Sequence, residues 1–506
     1  MSLRTTIFST TSLVFLASTA TADVTAKDIW SDWKSYMSAF SYSVDASEVM
    51  TGDTLTVSGL TMTMPMPEDA GSFAMTVDSI DFVENGDGSV TMVFPNVMPM
   101  TFAGQGPEGE IVKGSVEYSM QNMVMRASGD PSKITYDYTA DQIGFALKEV
   151  IVDGETLPAD AIKASFTSKE LSGQSIMVPG TLRTSTQSMS LGESSYTVSF
   201  RSPEGNETGT ISGTLATITS SGDIAIPDAM DPNKMAETLN NGFKLDGIVG
   251  YTNSKTEFTA TDGGETISGS TGAESASINV RMGKDGIEYS GGSKGTTLDF
   301  AGGGIPFPVS AKLGEVAFNL LLPISKTDEP TDFALGLTFG DFETSELLWS
   351  IFDAGQVLPR DPATIAFDLT GKVKLLFDLL DEDQLMNAAE SNEQPAELNA
   401  VTLNNLLVSI AGAKLSGTGD FTFDNTDLIS FNGLPKPTGG IDLALQGGNG
   451  LMDKLVEMGL LPQEQAMGAR MMMGLFARPG EGEDSLTSKI EINEAGHILA
   501  NGQRIQ

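Results

Sequence analysis

Apolar and polar residues alternate along the stretch from Thr364 to Asp378. Apolar residues or glycine occupy its odd positions, namely Ile365, Phe367, Leu369, Gly371, Val373, Leu375 and Phe377. The even positions are polar or charged except at Ala366 and Leu376. A period of two is typical of a β-strand with one dry face and one wet face. The stretch therefore predicts one long strand, or two strands joined by a bend at Gly371, in an antiparallel sheet.

Similar alternation recurs along most of the chain and predicts a mainly β protein. Turn sequences such as Asn85-Gly86-Asp87-Gly88 separate many of the runs. A change of phase at Ser58-Gly59 indicates a β-bulge. Between Tyr251 and Phe300 the predicted strands are rich in Gly, Ser and Thr, which favours an exposed or edge part of a sheet. We expect extended, curved antiparallel sheets with a few short packing helices.

Helical periodicity appears in only a few places. Residues 23–40 predict an amphipathic helix with Thr25 as its N-cap and Asp28 in its first turn. Further helices are predicted near 345–353, 451–458 and 464–477, and a short one between Pro232 and Gly242. The acidic segment 381–397 is expected to be a surface loop with at most one helical turn.

The break in strand periodicity around residues 227–242 is the best candidate for a boundary within the chain. After a predicted signal peptide at 1–22, this break separates an N-terminal β-rich region with a leading helix at 23–230 from a C-terminal β-rich region at 231–506. The length of the chain also favours two or three units.

The first 22 residues have the pattern of a secretory signal peptide. A basic start at Met1–Arg4 precedes an apolar region, and Ala20-Thr21-Ala22 is a small-residue cleavage signal, so the mature chain is expected to begin at Asp23. The alternative, a membrane anchor, needs a longer apolar run. We therefore expect secretion to the periplasm, with no transmembrane span after cleavage. The absence of Cys excludes disulfides and an acylated Cys.

The charge of the chain is strongly negative. It has 67 Asp and Glu against 29 Lys and Arg, a formal net charge of −38. Such a chain repels phosphate backbones, so we expect no nucleic-acid partner. Solubility explains the charge most simply, and a cationic partner or loosely bound divalent cations are the alternatives.

No sequence motif predicts a catalytic, cofactor-binding or metal-binding site. His497 is the one histidine and lies beside Gly496 in a predicted tight turn. Gly291–Gly295 matches G-x-S-x-G, but a strand is predicted after it, so we interpret it as a glycine turn. The acidic clusters at 381–383 and 424–427 lack the full pattern of a calcium loop. We expect a protein that is not an enzyme and has no cofactor.

Methionine is unusually frequent, with 25 residues, many of them at alternating strand positions. Its flexible thioether suits either core filling or an adaptable apolar surface. The second interpretation predicts a groove for a lipid or another apolar ligand. The candidate lining residues are Phe367, Leu369, Val373, Leu375 and Phe377.

Several stretches together resemble a known family. These are Glu346–Trp349 with Leu358–Pro362, the strand that follows, Leu451–Leu461 and the ending Gly496–Gln503. They are similar to the Gram-negative envelope proteins grouped as domain of unknown function 2125. The resemblance implies a periplasmic location and a long β-rich body, and it transfers no functional residue.

The leading hypothesis is an envelope protein that binds or transfers an apolar, lipid-like ligand. The alternative is a structural or protein-interaction module of the periplasm that recognises an envelope protein at a sheet edge. The eight Tyr, the three Trp and the polar terminus Arg504-Ile505-Gln506 argue against an outer-membrane barrel. The single histidine argues against a hydrolase.

Overall fold

The computed structural model describes residues 23–40, 42–65, 71–105, 109–202, 205–228, 230, 234–391 and 394–506. The predicted signal peptide, Pro232 and Met66 lie outside these residues. The described chain is mainly β, as the alternation predicts, with one large antiparallel sheet and short helices.

The first half of the chain forms strands of very different lengths. They are β1 Ser43–Thr51, β2 Thr54–Pro65, β3 Gly71–Glu84, β4 Val90–Val93, β5 Val97–Gln105, β6 Ile111–Gln121, β7 Val124–Asp130, β8 Lys133–Val152, β9 Glu155–Thr156, β10 Ile162–Val178, β11 Leu182–Leu191, β12 Ser194–Arg201, β13 Thr208–Leu215 and β14 Thr217–Pro227. The second half consists of β15 Lys244–Asp262, β16 Glu265–Gly283, β17 Gly286–Gly302, β18 Ile305–Leu322, β19 Thr331–Thr344, β20 Ala363–Leu375, β21 Ala396–Ile410, β22 Ala413–Asp424, β23 Lys436–Gln446, β24 Arg478–Pro479, β25 Ser485–Ile492, β26 Ile498–Ala500 and β27 Gln503–Arg504.

The helices are α1 Ala26–Ala39, α2 Met235–Asn240, α3 Glu346–Phe352, α4 Glu382–Ser391, α5 Gly448–Glu457 and α6 Gln463–Phe476. In α1, the predicted N-cap Thr25 forms a capping box with Asp28, in which each side chain accepts a hydrogen bond from the other residue's backbone N–H. The prediction of a loop at 381–397 was wrong, because α4 is a helix of ten residues. Its first residues follow Asp381, whose carboxylate accepts a hydrogen bond from Gln384 N–H and so satisfies an N-terminal donor.

The sheet is continuous from β1 to β27. Strands β3 and β8 enclose two shorter ladders placed end to end, β5–β6 and β4–β7. Strands β10 and β15 enclose β12–β13 and β11–β14 in the same way. From β15 each strand pairs with the next in sequence as far as β23, which pairs with β25. The predicted division at residue 230 is not tested by this pairing and stays a prediction.

The glycine- and serine-rich strands between Tyr251 and Phe300 are central rather than at an edge. Strands β15, β16 and β17 each pair along both sides. Few of their side chains are buried, as their composition predicts. The long strand predicted as far as Asp378 ends at Leu375, where the chain bends away.

Left-handed backbone recurs at the same level of the sheet on several strands. Gly59 of β2, Glu170 of β10, Asn253 of β15, Gly295 of β17 and Asp341 of β19 have φ between 47° and 60°. The pairing skips one residue on each partner at these points. The gaps between β11 and β12 and between β13 and β14 fall on the same line. We call this line of left-handed backbone and interrupted pairing the crease.

The main core lies where α1 packs on the creased sheet. Val57 and Leu60, which flank Gly59 of the crease, are both buried in it with Trp30 of α1 and Phe82 of β3. Both sides of the crease therefore contribute to one core. Several methionines fill this core, as one of the two interpretations of their frequency predicts; the buried ones are Met92, Met98, Met120 and Met177. Others, such as Met471 on α6, are exposed.

Candidate apolar binding face

One face of the second half of the sheet is apolar from strand to strand. Directly paired residues of an antiparallel sheet point to the same side, so the register traces rows across it. One row begins on β16 and continues through Val280, Tyr289, Leu320, Leu335, Leu369, Leu403, Gly419, Ile441 and Ile490. Eight of these nine positions carry a large apolar or aromatic side chain. We call the surface that contains this row the apolar face.

Two further rows lie on the same face, on the side of the first row nearer the crease. The first of them contains Ile278, Gly291, Phe318, Leu337, Phe367, Leu406, Gly417 and Leu443. The next contains Val316, Phe339, Ile365, Val408, Leu415, Leu445 and Leu486. Branched and aromatic side chains thus follow one another over several rows and many strands without an intervening charge.

The opposite face of the same strands is more polar. Asn319, Gly336 and Asp368 form a row there, and Asp368 pairs in turn with Asn405. Thr418, Asp442 and Lys489 continue the polar character on later strands. The three rows of large apolar side chains therefore lie on one side of these strands, and on the other side apolar residues such as Ala366 and Leu407 are paired with Thr338 and Ser416.

No second layer buries this face among the described residues. Leu335 in the middle of the first row is 42% exposed, and Phe339 and Ile365 are 40% and 53% exposed. In the first half of the chain, by contrast, the corresponding side chains are buried against α1. Contiguous exposed apolar surface on this scale is unusual for a soluble chain and indicates a binding surface.

The open part of the apolar face is continuous with the α1 core. The first row extends backward from Val280 through Gly247, Gly222, Gln187, Ser175 and Tyr136. Tyr136 O–H donates a hydrogen bond of 3.0 Å to Asp32 of α1. The helix therefore occupies, at one end, the same face that lies open over β16–β25.

Helix α3 borders the apolar face at the end of β19. A cleft of about 590 Å³ lies between α3 and the sheet and is lined mainly by Phe342, Leu348, Trp349, Phe352, Ala363 and Ile410. Arg360 holds the helix in place: its guanidinium lies 4.4 Å from the Trp349 ring and donates to Asp353 Oδ2 at 2.5 Å. Burial disfavours the charge on Asp353, but hydrogen bonds from Arg360, Val357 N–H and Leu358 N–H outweigh it and lower the Asp353 pKa.

The predicted groove residues all come from β20 or the bend after it. Phe367 and Leu369 lie in the rows of the apolar face, paired with Leu337 and Leu335. Val373 follows on the same strand and pairs with Leu398. Leu375 is buried, and Phe377 lies beyond the end of the strand. The structure thus places two of the five in the centre of the open face and the others toward its border.

Strand β19 was missed in the sequence although its signal is clear. Phe333, Leu335, Leu337 and Phe339 alternate with Ala334, Gly336 and Thr338, which is a period of two. This strand supplies the middle of the apolar face. The period of two that predicts β20 therefore also predicts a strand within residues 331–344.

The glycine motif lies in a strand and the acidic motif at 424–427 in a turn. Gly291–Gly295 lies inside β17, so the predicted glycine turn was wrong; Gly291 and Gly292 face closely approaching backbone of the neighbouring strands. Asp424 accepts hydrogen bonds from Thr426 in a local turn. In the described part of the chain, no three His, Cys, Asp or Glu side chains cluster so that they could hold a metal ion.

Residues 253–499 match the DUF2125 family. That family is described as an uncharacterized protein conserved in bacteria. The DUF2125 match covers just under half of the chain, from β15 to β26, and so includes the open apolar face. It confirms the resemblance predicted from the sequence and assigns no activity.

No curated protein sequence matches the chain. A crystal structure of the ferric citrate transporter FecA in the unliganded form aligns with 89% of this chain and 74% of that chain, at 9% identity and a TM-score of 0.16. That score supports no inference about fold or function. Among the described residues, none of the helices has both the length and the apolar content that crossing a membrane requires.

Proposed function

We propose that this protein is a non-enzymatic envelope protein that binds or transfers an apolar, lipid-like ligand along its apolar face. The observation that carries the proposal is the continuity of one face from the α1 core to β25. At one end α1 covers this face, and over β16–β25 the same rows are open. A ligand would take, over the second half, the place that α1 takes over the first.

The gain from covering this face is large enough for binding. Burying the remaining exposed fraction of one such Leu or Phe contributes roughly 1 kcal/mol. Several rows of such residues supply a contact of many kcal/mol, less the cost of ordering the ligand. The interaction would be non-directional, which suits a hydrocarbon chain of variable structure.

A hydrocarbon chain fits this face better than a peptide does. Strands β16–β23 are hydrogen-bonded to neighbours on both sides, so their backbone groups are not available to pair with a peptide backbone. A peptide lying across the apolar rows would lose hydrogen bonds to water and gain none, at a cost of a few kcal/mol for each buried polar group. A lipid chain has no such groups.

The proposal includes the periplasm as the compartment. It rests on the signal-peptide pattern that ends at Ala22, before the first described residue. An envelope location would also supply lipids as ligands.

Mass spectrometry of lipids that co-purify from the protein's own periplasm tests the proposal. Leu335→Glu places a charge on the apolar face, and Thr338→Glu places the same charge on the opposite face of the same strand. We expect lipid with the wild type and with Thr338→Glu, and severalfold less with Leu335→Glu. A lipid-free wild type, or equal lipid in both variants, would contradict the proposal.

The alternative, a protein-interaction module, is favoured by strand β1. In the described residues this nine-residue strand pairs with β2 along one edge only, and its Val49 is exposed. An open edge can accept a strand from a partner. Cross-linking in cells separates the two functions, because one stoichiometric protein partner at β1, without bound lipid, supports this alternative.

A further inference from the structure

A cavity lies between α1 and the sheet at the inner end of the apolar face. Its volume is about 290 Å³, and its lining includes Trp33, Met37, Met125, Tyr138 and Met177. Met125 pairs with Tyr138, and beyond Met125 their row passes into solid core through Met92 and Phe82. The cavity is therefore the place where the packed core ends and the apolar face begins.

The charged and amide groups of this cavity already have partners. Asp32 forms an ion pair with Arg183 and accepts a hydrogen bond from Tyr136. Ser185 lies within hydrogen-bond distance of Ser175 Oγ and accepts one from Gln187 Nε2 at 3.1 Å. A polar head group placed here would lose its hydration without gaining the carboxylate or the guanidinium as a partner.

The sheet between the cavity and the open face has no large side chain along the middle of the first row. There Gly222 and Gly247 stand between Gln187 and Val280. In the second row Ser220 stands between Met189 and Val249. The two glycines leave a narrow path above the first row, bordered by apolar side chains, for a chain that runs from the open face to the cavity.

The apolar cavity, its paired polar groups and the glycines of the first row together indicate how the ligand is oriented. We infer that the cavity beneath α1 binds the methyl end of a single hydrocarbon chain, whose polar end lies toward the open face over β16–β25. A volume near the lower end of small-molecule pockets suits one chain terminus rather than a whole lipid. This inference rests on the proposed function and specifies which end of the bound hydrocarbon chain lies beneath α1.

The positions of the tryptophans allow a direct test. Two of the three Trp residues, Trp30 and Trp33, are on α1, and Trp349 is on α3. In a Trp349→Phe protein the remaining fluorescence comes from α1. The probes are methyl esters of stearic acid with a doxyl quencher near the methyl end or near the ester. These esters are neutral, so the negative charge of the protein does not repel them, and native mass spectrometry measures their binding independently.

We expect the probe labelled near the methyl end to quench α1 fluorescence severalfold more than the probe labelled near the ester. Ser175→Phe, which fills the cavity, should remove this difference, and Ser172→Phe, on the exposed opposite face of β10, should keep it. Bound ester with equal or reversed quenching would overturn the orientation and leave the proposed function standing. If native mass spectrometry detects no bound ester, both are overturned. The comparison of the two probes does not depend on the folding of Ser175→Phe.

Discussion

Asp32 on α1 and Arg183 on β11 form a buried ion pair where α1 packs on the sheet, although 151 positions separate them in the sequence. Their side chains are only 4% and 6% exposed. Tyr136 on β8 donates a hydrogen bond to the same carboxylate. The three groups fix where α1 lies on the sheet, and with it the inner end of the apolar face.

Breaking this ion pair should destabilise the protein strongly. Arg183→Met leaves the Asp32 carboxylate buried without its cation, which typically costs about 3 kcal/mol or more. The free energy of unfolding in urea measures the effect. In the double variant Asp32→Leu with Arg183→Met both charges are gone, so we expect much of the loss to be recovered. A single variant as stable as the wild type would show that the pair does not hold α1.

Stability should fall at alkaline pH partly because of Tyr136. Burial, the Asp32 charge and the hydrogen bond to Asp32 raise the pKa of Tyr136 far above its ordinary value of 10.0. The unfolded tyrosine loses its proton near that ordinary value while the folded one keeps it, so ionisation favours the unfolded state as pH rises. Thermal melts from neutral pH to above pH 10 should show a steeper loss for the wild type than for Tyr136→Phe. Parallel curves would contradict this.

The crease should be sensitive to side chains that resist left-handed backbone. Asn253 is exposed and has φ of 47°, so its packing contributes little and its backbone conformation dominates. Asn253→Val should destabilise the protein by about 1–2 kcal/mol, and Asn253→Gly should not destabilise it. Thr259→Val, at an exposed position of ordinary strand geometry, is the matched control. Equal effects of Val at both positions would mean that Asn253 is not strained.

The sequence was sufficient to predict the fold class and most elements, because burial on one side of a sheet requires a period of two. The Thr364–Asp378 alternation predicts β20, and the Thr25–Asp28 pair predicts the start of α1. The prediction of a loop at 381–397 was wrong because it rested on the acidic residues of this segment. Leu385 and Ala388 of α4 are three residues apart, which is a helical spacing.

The site was predicted only in part, since a row depends on register between strands far apart in sequence. Phe367 and Leu369 could be chosen from β20 alone, but their neighbours Leu337 and Leu335 appear only when β19 is paired with β20. The crease had no sequence signal at Glu170 or Asp341, because neither residue type marks left-handed backbone as glycine does. The ion pair of Asp32 with Arg183 likewise depends on tertiary placement.

The most direct test of the central claim is to map where a lipid contacts the sheet. A phospholipid with a photoactivatable group in its acyl chain is bound to the protein and cross-linked, and the modified residues are identified by mass spectrometry. We expect modification at apolar-face positions such as Phe318, Leu335 and Phe367. Modification centred on the opposite face, at Asn319 and Asp368, or spread equally over both faces, would contradict it.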